Sequence, residues 1–329
     1  RLAGAGLALH GPSGPAAVVL RLPVAAQEEV VVTARDDGPV WLTVVEQLEG
    51  LPVAVPPRPP GVLVRPVLSV VRSDVTFVRR SFDLRRGVAT DELPITRLVP
   101  RLVAAHPHDP RAFTQGLVWH DGVLYESTGQ YGRSELRRVA PQSGAVLARQ
   151  RLRRRFFGEG LARVDDRLVQ LTWKAERALV YDRDSLRRRG RLSYRGEGWG
   201  LAFDGRRLIM SDGSDRLTFR HPETFAVEGS VAVTLHGRPL RGLNELEAVD
   251  GQVWANVFQQ DRLVRIDPAS GEVTAVADAH QLLSPAERRG TDVLNGIAYD
   301  PQSDTYYLTG KLWPRVLQVR LVPAAATAP

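Results

Sequence analysis

Short apolar runs of about four to eight residues, cut by glycine, proline and aspartate, recur along the whole chain and predict strands rather than helices. The first set is Ala17–Leu22, Glu28–Ala34, Val40–Val45, Val62–Val71 and Val75–Phe82, with turns at Asp36-Asp37-Gly38 and the proline cluster Pro56–Pro60. Alternation in Asp74-Val75-Thr76-Phe77-Val78-Arg79 suits a half-buried strand. These runs predict a small β-rich module over 1–92, with a sandwich as one arrangement. The Gly/Ala/Pro-rich residues 1–22 read as a loose lead-in, and polar Arg85–Glu92 reads as a linker. No chemistry is legible in this module, and a plain accessory domain is preferred over a docking or carbohydrate-binding one.

From Gln115 the pattern becomes periodic. A short phrase recurs as Thr114-Gln115-Gly116-Leu117, Phe157-Gly158-Glu159-Gly160-Leu161, Gly198-Trp199-Gly200-Leu201, Asn244-Glu245-Leu246-Glu247 and Leu294-Asn295-Gly296-Ile297. The repeats lie about 40–50 residues apart, the period of a β-propeller. The first unit divides into four strands, Gly116–Trp119, Val123–Ser127, Ser134–Val139 and Ala145–Arg151, with turns at Asp121-Gly122, Gly129-Gln130 and Pro141–Gly144. The fourth repeats that layout, with turns at Asp250-Gly251 and Pro268–Gly271. The expected fold is therefore all-β, a five-bladed β-propeller over 93–323 followed by a tail, 324–329. The fifth unit runs out before its outer strand, which would leave an open edge. The orphan run Ile95–Ala104 is placed to supply it.

Composition narrows the class. With 329 residues and 43% apolar content the chain can bury a large core, and no apolar run is long enough to span a bilayer. A soluble protein with no membrane partner is expected. There is no cysteine, which removes disulfides and thiolate chemistry but does not fix the compartment. The chain opens on Arg1, consistent with a processed start; a secreted or periplasmic location is favoured over a cytoplasmic one. The net charge of +7 comes from arginine, since Lys174 and Lys311 are the only lysines. Runs such as Arg151–Arg155 and Arg187–Arg191 lack interleaved aromatics, so a solvated edge is preferred to a nucleic-acid surface.

In a propeller the residues just before each anchor meet at one mouth of the axial channel. Here they are Gln115, Glu159, Trp199, Asn244 with Glu245, and Asn295. Glycines on both sides of Glu159 allow close approach to its carboxylate. The pattern alone leaves two readings open: a binding site, or a plug of channel residues bonded to each other and to water.

Phe113–Leu117, Tyr125–Gly129 with Tyr131–Ser134, Phe157–Leu161, Gly198–Ala202, Leu243–Glu247, Val253–Asn256, Leu294–Ala298 and Thr309–Pro314 together resemble the plant/bacterial-type glutaminyl-peptide cyclotransferases. The likeness covers roughly Leu98 to Leu321. It implies a five-bladed propeller that cyclises an N-terminal glutamine to pyroglutamate with release of ammonia. Its partners would be peptides or proteins beginning with glutamine, and no cofactor or metal is expected. His106 and His108 flank a proline and more simply shape a turn. By the same resemblance Glu159 is the catalytic acid/base, and Lys311 stands at the active site, where a point charge could stabilise an oxyanion. Gln115 and Asn244 are polar substrate contacts, and Trp199 and Phe113 are hydrophobic walls. Phe258 departs from the pattern, standing where plant members carry a second active-site tryptophan. It keeps the ring but lacks the indole N–H. Lys174 reads as a surface lysine, and a monomer is expected. Two other readings compete: a Ca²⁺-dependent lactonase-like hydrolase using Glu159, Asn244 and Asn295 as oxygen ligands, and a non-enzymatic propeller that binds a partner.

Overall fold

Strands built from the short apolar runs supply all the regular structure: the computed structural model has no helix among the described residues. It describes residues 95–324 and, before them, six strands. The chain divides into two units, Arg1–Leu93 and Pro94–Pro329.

The first unit holds two three-stranded antiparallel sheets. One joins Leu7–Leu9, Ala17–Arg21 and Glu29–Thr33; the other joins Leu42–Gln47, Phe77–Asp83 and Val88–Thr90. Two expectations change. The lead-in contains the strand Leu7–Leu9, and the linker contains Val88–Thr90. Three-residue strands are too short to show a period in sequence; each is defined by its partner. The turns at 36–38 and 56–60 and the run Val62–Val71 lie outside the described residues, as do 325–329 of the tail.

The second unit begins with three separate four-stranded antiparallel meanders. The first is Thr114–His120, Val123–Thr128, Glu135–Val139 and Val146–Arg151. The second is Gly158–Val164, Arg167–Thr172, Arg177–Asp182 and Arg188–Ser193. The third is Leu201–Phe203, Leu208–Met210, Arg216–Arg220 and Val227–Ala232. An eight-stranded sheet follows. One side is Leu243–Val249, Gln252–Val257, Arg262–Ile266 and Val273–Asp278; the other is Leu294–Asp300, Thr305–Gly310 and Arg315–Pro323.

Thr96–Pro107 joins the two sides. It runs antiparallel to Arg315–Pro323 from Leu98↔Pro323 to Pro107↔Arg315, and its first residues pair in parallel with Ala275–Ala277. The parallel pairing was not expected. A small hairpin, Thr234–Leu235 with Arg238–Pro239, was also unforeseen; its turn residues His236 and Gly237 take positive φ of 52° and 69°, the backbone of a tight two-residue turn.

The first strands of these groups touch in cyclic order, beginning Thr114–His120, Gly158–Val164, Leu201–Phe203, Leu243–Val249, Leu294–Asp300 and returning to Thr114–His120. Glycine allows this crowding. A Cβ on Gly116 would fall 2.5 Å from the Leu161 nitrogen, and one on Gly160 2.5 Å from the Leu201 nitrogen; on Gly200 it would run into the Asn244 carbonyl.

The core is distributed between neighbouring sheets rather than gathered at one centre. Leu168, for example, packs toward the first meander with Leu136 and Leu161, whereas adjacent Val169 packs toward the third with Leu201 and Leu208. Successive side chains of a strand point to opposite faces, so sheets buried on both faces need the nearly continuous apolar runs seen in the sequence. The outermost strands Val146–Arg151 and Arg188–Ser193 present mostly exposed and half-buried positions; one arginine run falls on the second of them and the other begins at the end of the first and continues into the loop after it.

Candidate active site

Four of the recurring phrases coincide with breaks in strand register. The pairing of the first strand of each group shifts between Thr114 and Gly116, Gly158 and Leu161, Leu243 and Leu246, and Leu294 and Ile297. A bulge re-aims the side chain it carries, and the residues inside these breaks are Gln115, Glu159, Asn244 with Glu245, and Asn295. The site is thus written into irregular backbone at one level of the ring.

Glu159 is 4% exposed, and the Gln115 side-chain amide donates to its Oε1 at 2.8 Å. Asn295 orients Gln115: its Nδ2 donates to Gln115 Oε1 at 3.1 Å and to the Thr114 carbonyl at 3.0 Å. Ser127 Oγ donates to the Glu159 carbonyl and accepts from Gln170 Nε2 at 2.7 Å. Ser134 Oγ accepts the Gly158 N–H at 3.0 Å. Backbone and side chain of Glu159 are therefore both held.

Lys311, 5% exposed, follows the strand Thr305–Gly310. Its Nζ lies 4.9 Å from the Phe113 ring centre and 5.3 Å from that of Phe258, cation–π distances. His108 anchors the segment after it. The His108 Nδ1–H donates to the Trp313 carbonyl at 2.7 Å, while Nε2 sits 2.9 Å from Glu126. The histidine expected to shape a turn thus ties the first meander to the loop carrying Lys311.

Aromatic rings complete a collar. Phe113 meets Phe157 edge-on at 6.2 Å between ring centres, and Phe157 meets Trp173 at 5.5 Å and Tyr131 at 5.4 Å. Trp173 and Trp199 both donate their indole N–H to one Glu197 oxygen, at 2.6 and 3.0 Å. Trp199 meets Phe258 edge-on at 5.4 Å. Through Lys311 the circuit returns to Phe113.

Charge balance in this collar departs from water. Burial pushes the Glu159 carboxyl well above the usual carboxylate range and Glu197 adds to it, against the opposing pull of Lys311 and the Gln115 amide. Burial lowers the Lys311 ammonium, with Glu159 and Asp292 opposing. At Glu197 burial acts upward, but the two indole donors and Lys174 outweigh it and hold that carboxyl below its ordinary value. Two carboxylates in one collar are thus driven in opposite directions.

The structure brings Glu159, Gln115, Lys311, Phe113 and Phe258 together, with Trp199 against Phe258. Asn244 is connected through the backbone, its carbonyl close against Gly200; its Oδ1 is buried without a protein donor. Glu245 points elsewhere: it accepts the Leu117 N–H at 3.1 Å and the Ile297 N–H at 2.7 Å, stapling three first strands together. Of the residues expected at the mouth, Glu245 serves as a plug.

Sequence reasoning missed Phe157, Trp173 and Glu197 as members of this collar. Gly196-Glu197-Gly198 repeats the glycine–carboxylate–glycine phrase of 158–160 and was the available signal. Lys174, read as a plain surface lysine, is exposed but lies 3.4 Å from Glu197 and over the Trp173 ring. Among the described residues no three His, Cys, Asp or Glu side chains are grouped so as to hold a metal ion.

The sequence matches the glutamine cyclotransferase family model over residues 81–321. The chain belongs to the glutamine cyclotransferase family. A glutaminyl-peptide cyclotransferase of Arabidopsis thaliana is 40% identical over 230 residues, 68% of this chain and 72% of that protein. The crystal structure of Myxococcus xanthus glutaminyl cyclase, 38% identical, matches 70% of this chain and 100% of its own with a TM-score of 0.64. The family match spans every residue of the collar, and none of the first eighty residues falls within it.

Proposed function

We propose that this chain is a glutaminyl-peptide cyclotransferase that converts the N-terminal glutamine of peptides and proteins to pyroglutamate, releasing ammonia. The observation that carries the reading is Glu159, a buried carboxyl of raised proton affinity inside an aromatic collar, in a chain of this family. The substrate brings its own nucleophile and electrophile. Its α-amine nitrogen bonds to the γ-carboxamide carbon, the bond from that carbon to the amide nitrogen breaks, and a five-membered lactam and ammonia result. Holding the glutamine folded for this closure supplies much of the rate.

Glu159 in its ionised form takes a proton from the attacking amine and returns one to the departing nitrogen. Lys311 faces the carbonyl oxygen as it gains negative charge. The bare Oδ1 of Asn244 accepts from the substrate. Phe113, Phe157, Trp173, Trp199 and Phe258 exclude water. The four-strand groups are read as blades of a five-bladed propeller, supported by the cyclic contact of the first strands and the separate core clusters between neighbouring sheets. Residues 93–323 form the catalytic domain and 1–92 an accessory module.

The test is incubation of purified protein with a peptide beginning in glutamine, followed by ammonia release and the matching loss of mass. Turnover undiminished by a chelator is expected. A folded protein that leaves the peptide unchanged overturns the reading, and chelator-sensitive hydrolysis of a lactone would favour the calcium-dependent alternative.

A further inference from the structure

Next to the collar in sequence, the surface opens into a groove whose charged lining residues are all arginines. Two adjoining cavities, of about 420 and 210 Å³, share Arg153, Phe156, Leu179 and Arg188 in their walls. The larger adds Arg155, Arg177 and Arg191, and neither lining contains a carboxylate. The absence is local. On the same strand as Arg188 and Arg191, the intervening Arg189 is paired to Asp166 and Asp182. The pairing register explains the difference. Leu179 opposes Arg191 and Tyr181 opposes Arg188 across a register shift that leaves Arg189 as the extra residue, so these two arginines, three apart, share the face on which Leu179 and Tyr181 pack with Leu136 of the first meander.

The groove and the collar are built from the same two loops. In the segment leading to Glu159, Phe156 floors the groove while adjacent Phe157 stands in the collar. In the turn after Arg167–Thr172, Trp173 belongs to the collar and Ala175 to the groove. Groove and collar are thus one residue apart at Phe156/Phe157 and two apart at Trp173/Ala175.

We propose that this groove binds acidic residues downstream of the N-terminal glutamine, so that the preferred substrates are peptides with an acidic segment following the first few residues. The proposal rests on the cyclotransferase reading of the collar. Arginine suits the task because its planar fork grips a carboxylate through two hydrogen bonds. Exposed pairs are individually weak; several on one groove act mainly on the rate and selectivity of capture. The Phe156 and Leu179 floor accommodates the apolar stems of neighbouring substrate residues.

The experiment compares peptides of about eight residues, long enough to extend roughly 25 Å. All begin with glutamine, and the later positions are glutamate, serine or lysine. At low salt the acidic peptide is expected to show kcat/KM roughly tenfold above the serine peptide, with the lysine peptide lowest and the differences shrinking as salt screens them. In the double variant Arg188→Glu/Arg191→Glu, both sites exposed, the preference disappears while turnover of a glutamine dipeptide amide is unchanged. Equal kcat/KM for all three peptides overturns the proposal, as does a preference that survives in the variant. Fluorescence anisotropy of the labelled acidic peptide separates this inference from the activity. Binding lost in the variant supports the groove even if no peptide is turned over, an outcome that would sink the cyclotransferase reading alone. Tighter binding of a single-stranded oligonucleotide than of the acidic peptide also overturns it.

Discussion

Glu159 has two neighbours of opposite effect, Lys311 drawing its proton affinity down and Glu197 raising it, with burial dominating both. Its orientation depends on a relay that starts two side chains away. A primary amide presents either N–H or C=O to a partner. Because Asn295 donates to the Gln115 oxygen, the Gln115 nitrogen is the end left facing Glu159. Replacing Asn295 with alanine frees that amide to turn. Asn295→Ala is predicted to lower kcat/KM by roughly 10–100-fold. Since it acts through Gln115, the double variant with Gln115→Ala should lose little more than Gln115→Ala alone. Additive losses would place Asn295 outside the relay. At this scale the sequence was partly legible. Gly-Glu-Gly marked a carboxylate at a crowded position, and scarcity of lysine drew attention to Lys311. Trp173 was not legible because its place in the collar depends on Glu197, a residue on a different meander's approach, which bonds it to Trp199.

The bulged first strands are the elements that turn a repeated phrase into a site. Three phrases set a glycine beside the polar residue in the break, Gln115-Gly116, Glu159-Gly160 and Asn295-Gly296, while Asn244-Glu245 has the break without a glycine and Gly198–Leu201 the glycines without a break. The Leu243–Val249 strand uses its carboxylates differently. Glu245 caps the backbone of two neighbouring strands, and Glu247 accepts the Tyr299 N–H at 3.1 Å. Burial raises Glu245 well above its ordinary value, with Glu247 adding to it, and raises Glu247 itself from 4.5 to about 8. The folded chain therefore holds these protons more tightly than the unfolded one. The resulting stabilisation is complete below the unfolded value and is lost as pH rises through about 8 for Glu247. Thermal midpoints are predicted to fall between about pH 5 and about pH 8, and to fall less in Glu247→Gln, whose amide oxygen still accepts from Tyr299 while carrying no proton to lose. The same fall in both proteins would show that Glu247 titrates alike folded and unfolded.

At the scale of the molecule, strand content and the 40–50-residue recurrence were visible because every group repeats one pattern of apolar runs and turns. The partners that join the sheets were less visible. Thr96–Pro107 pairs with Arg315–Pro323 and, in parallel, with Ala275–Ala277; a missing outer strand suggested the first, and nothing in local sequence suggested the second. The three-residue strands Leu7–Leu9 and Val88–Thr90 were hidden for a related reason, since pairing rather than period defines them. In the proposed reaction the ring serves to bring Gln115, from the first meander, and Asn295 and Lys311, both from the last group of strands, around the buried carboxyl of Glu159. The most direct test of that claim is ammonia release from a glutamine-initiated peptide by wild type and Glu159→Gln, with thermal unfolding of both followed in parallel. The account predicts equal cooperative unfolding and turnover reduced by about 10²–10⁴-fold in the variant; a folded Glu159→Gln protein that releases ammonia at the wild-type rate would contradict it.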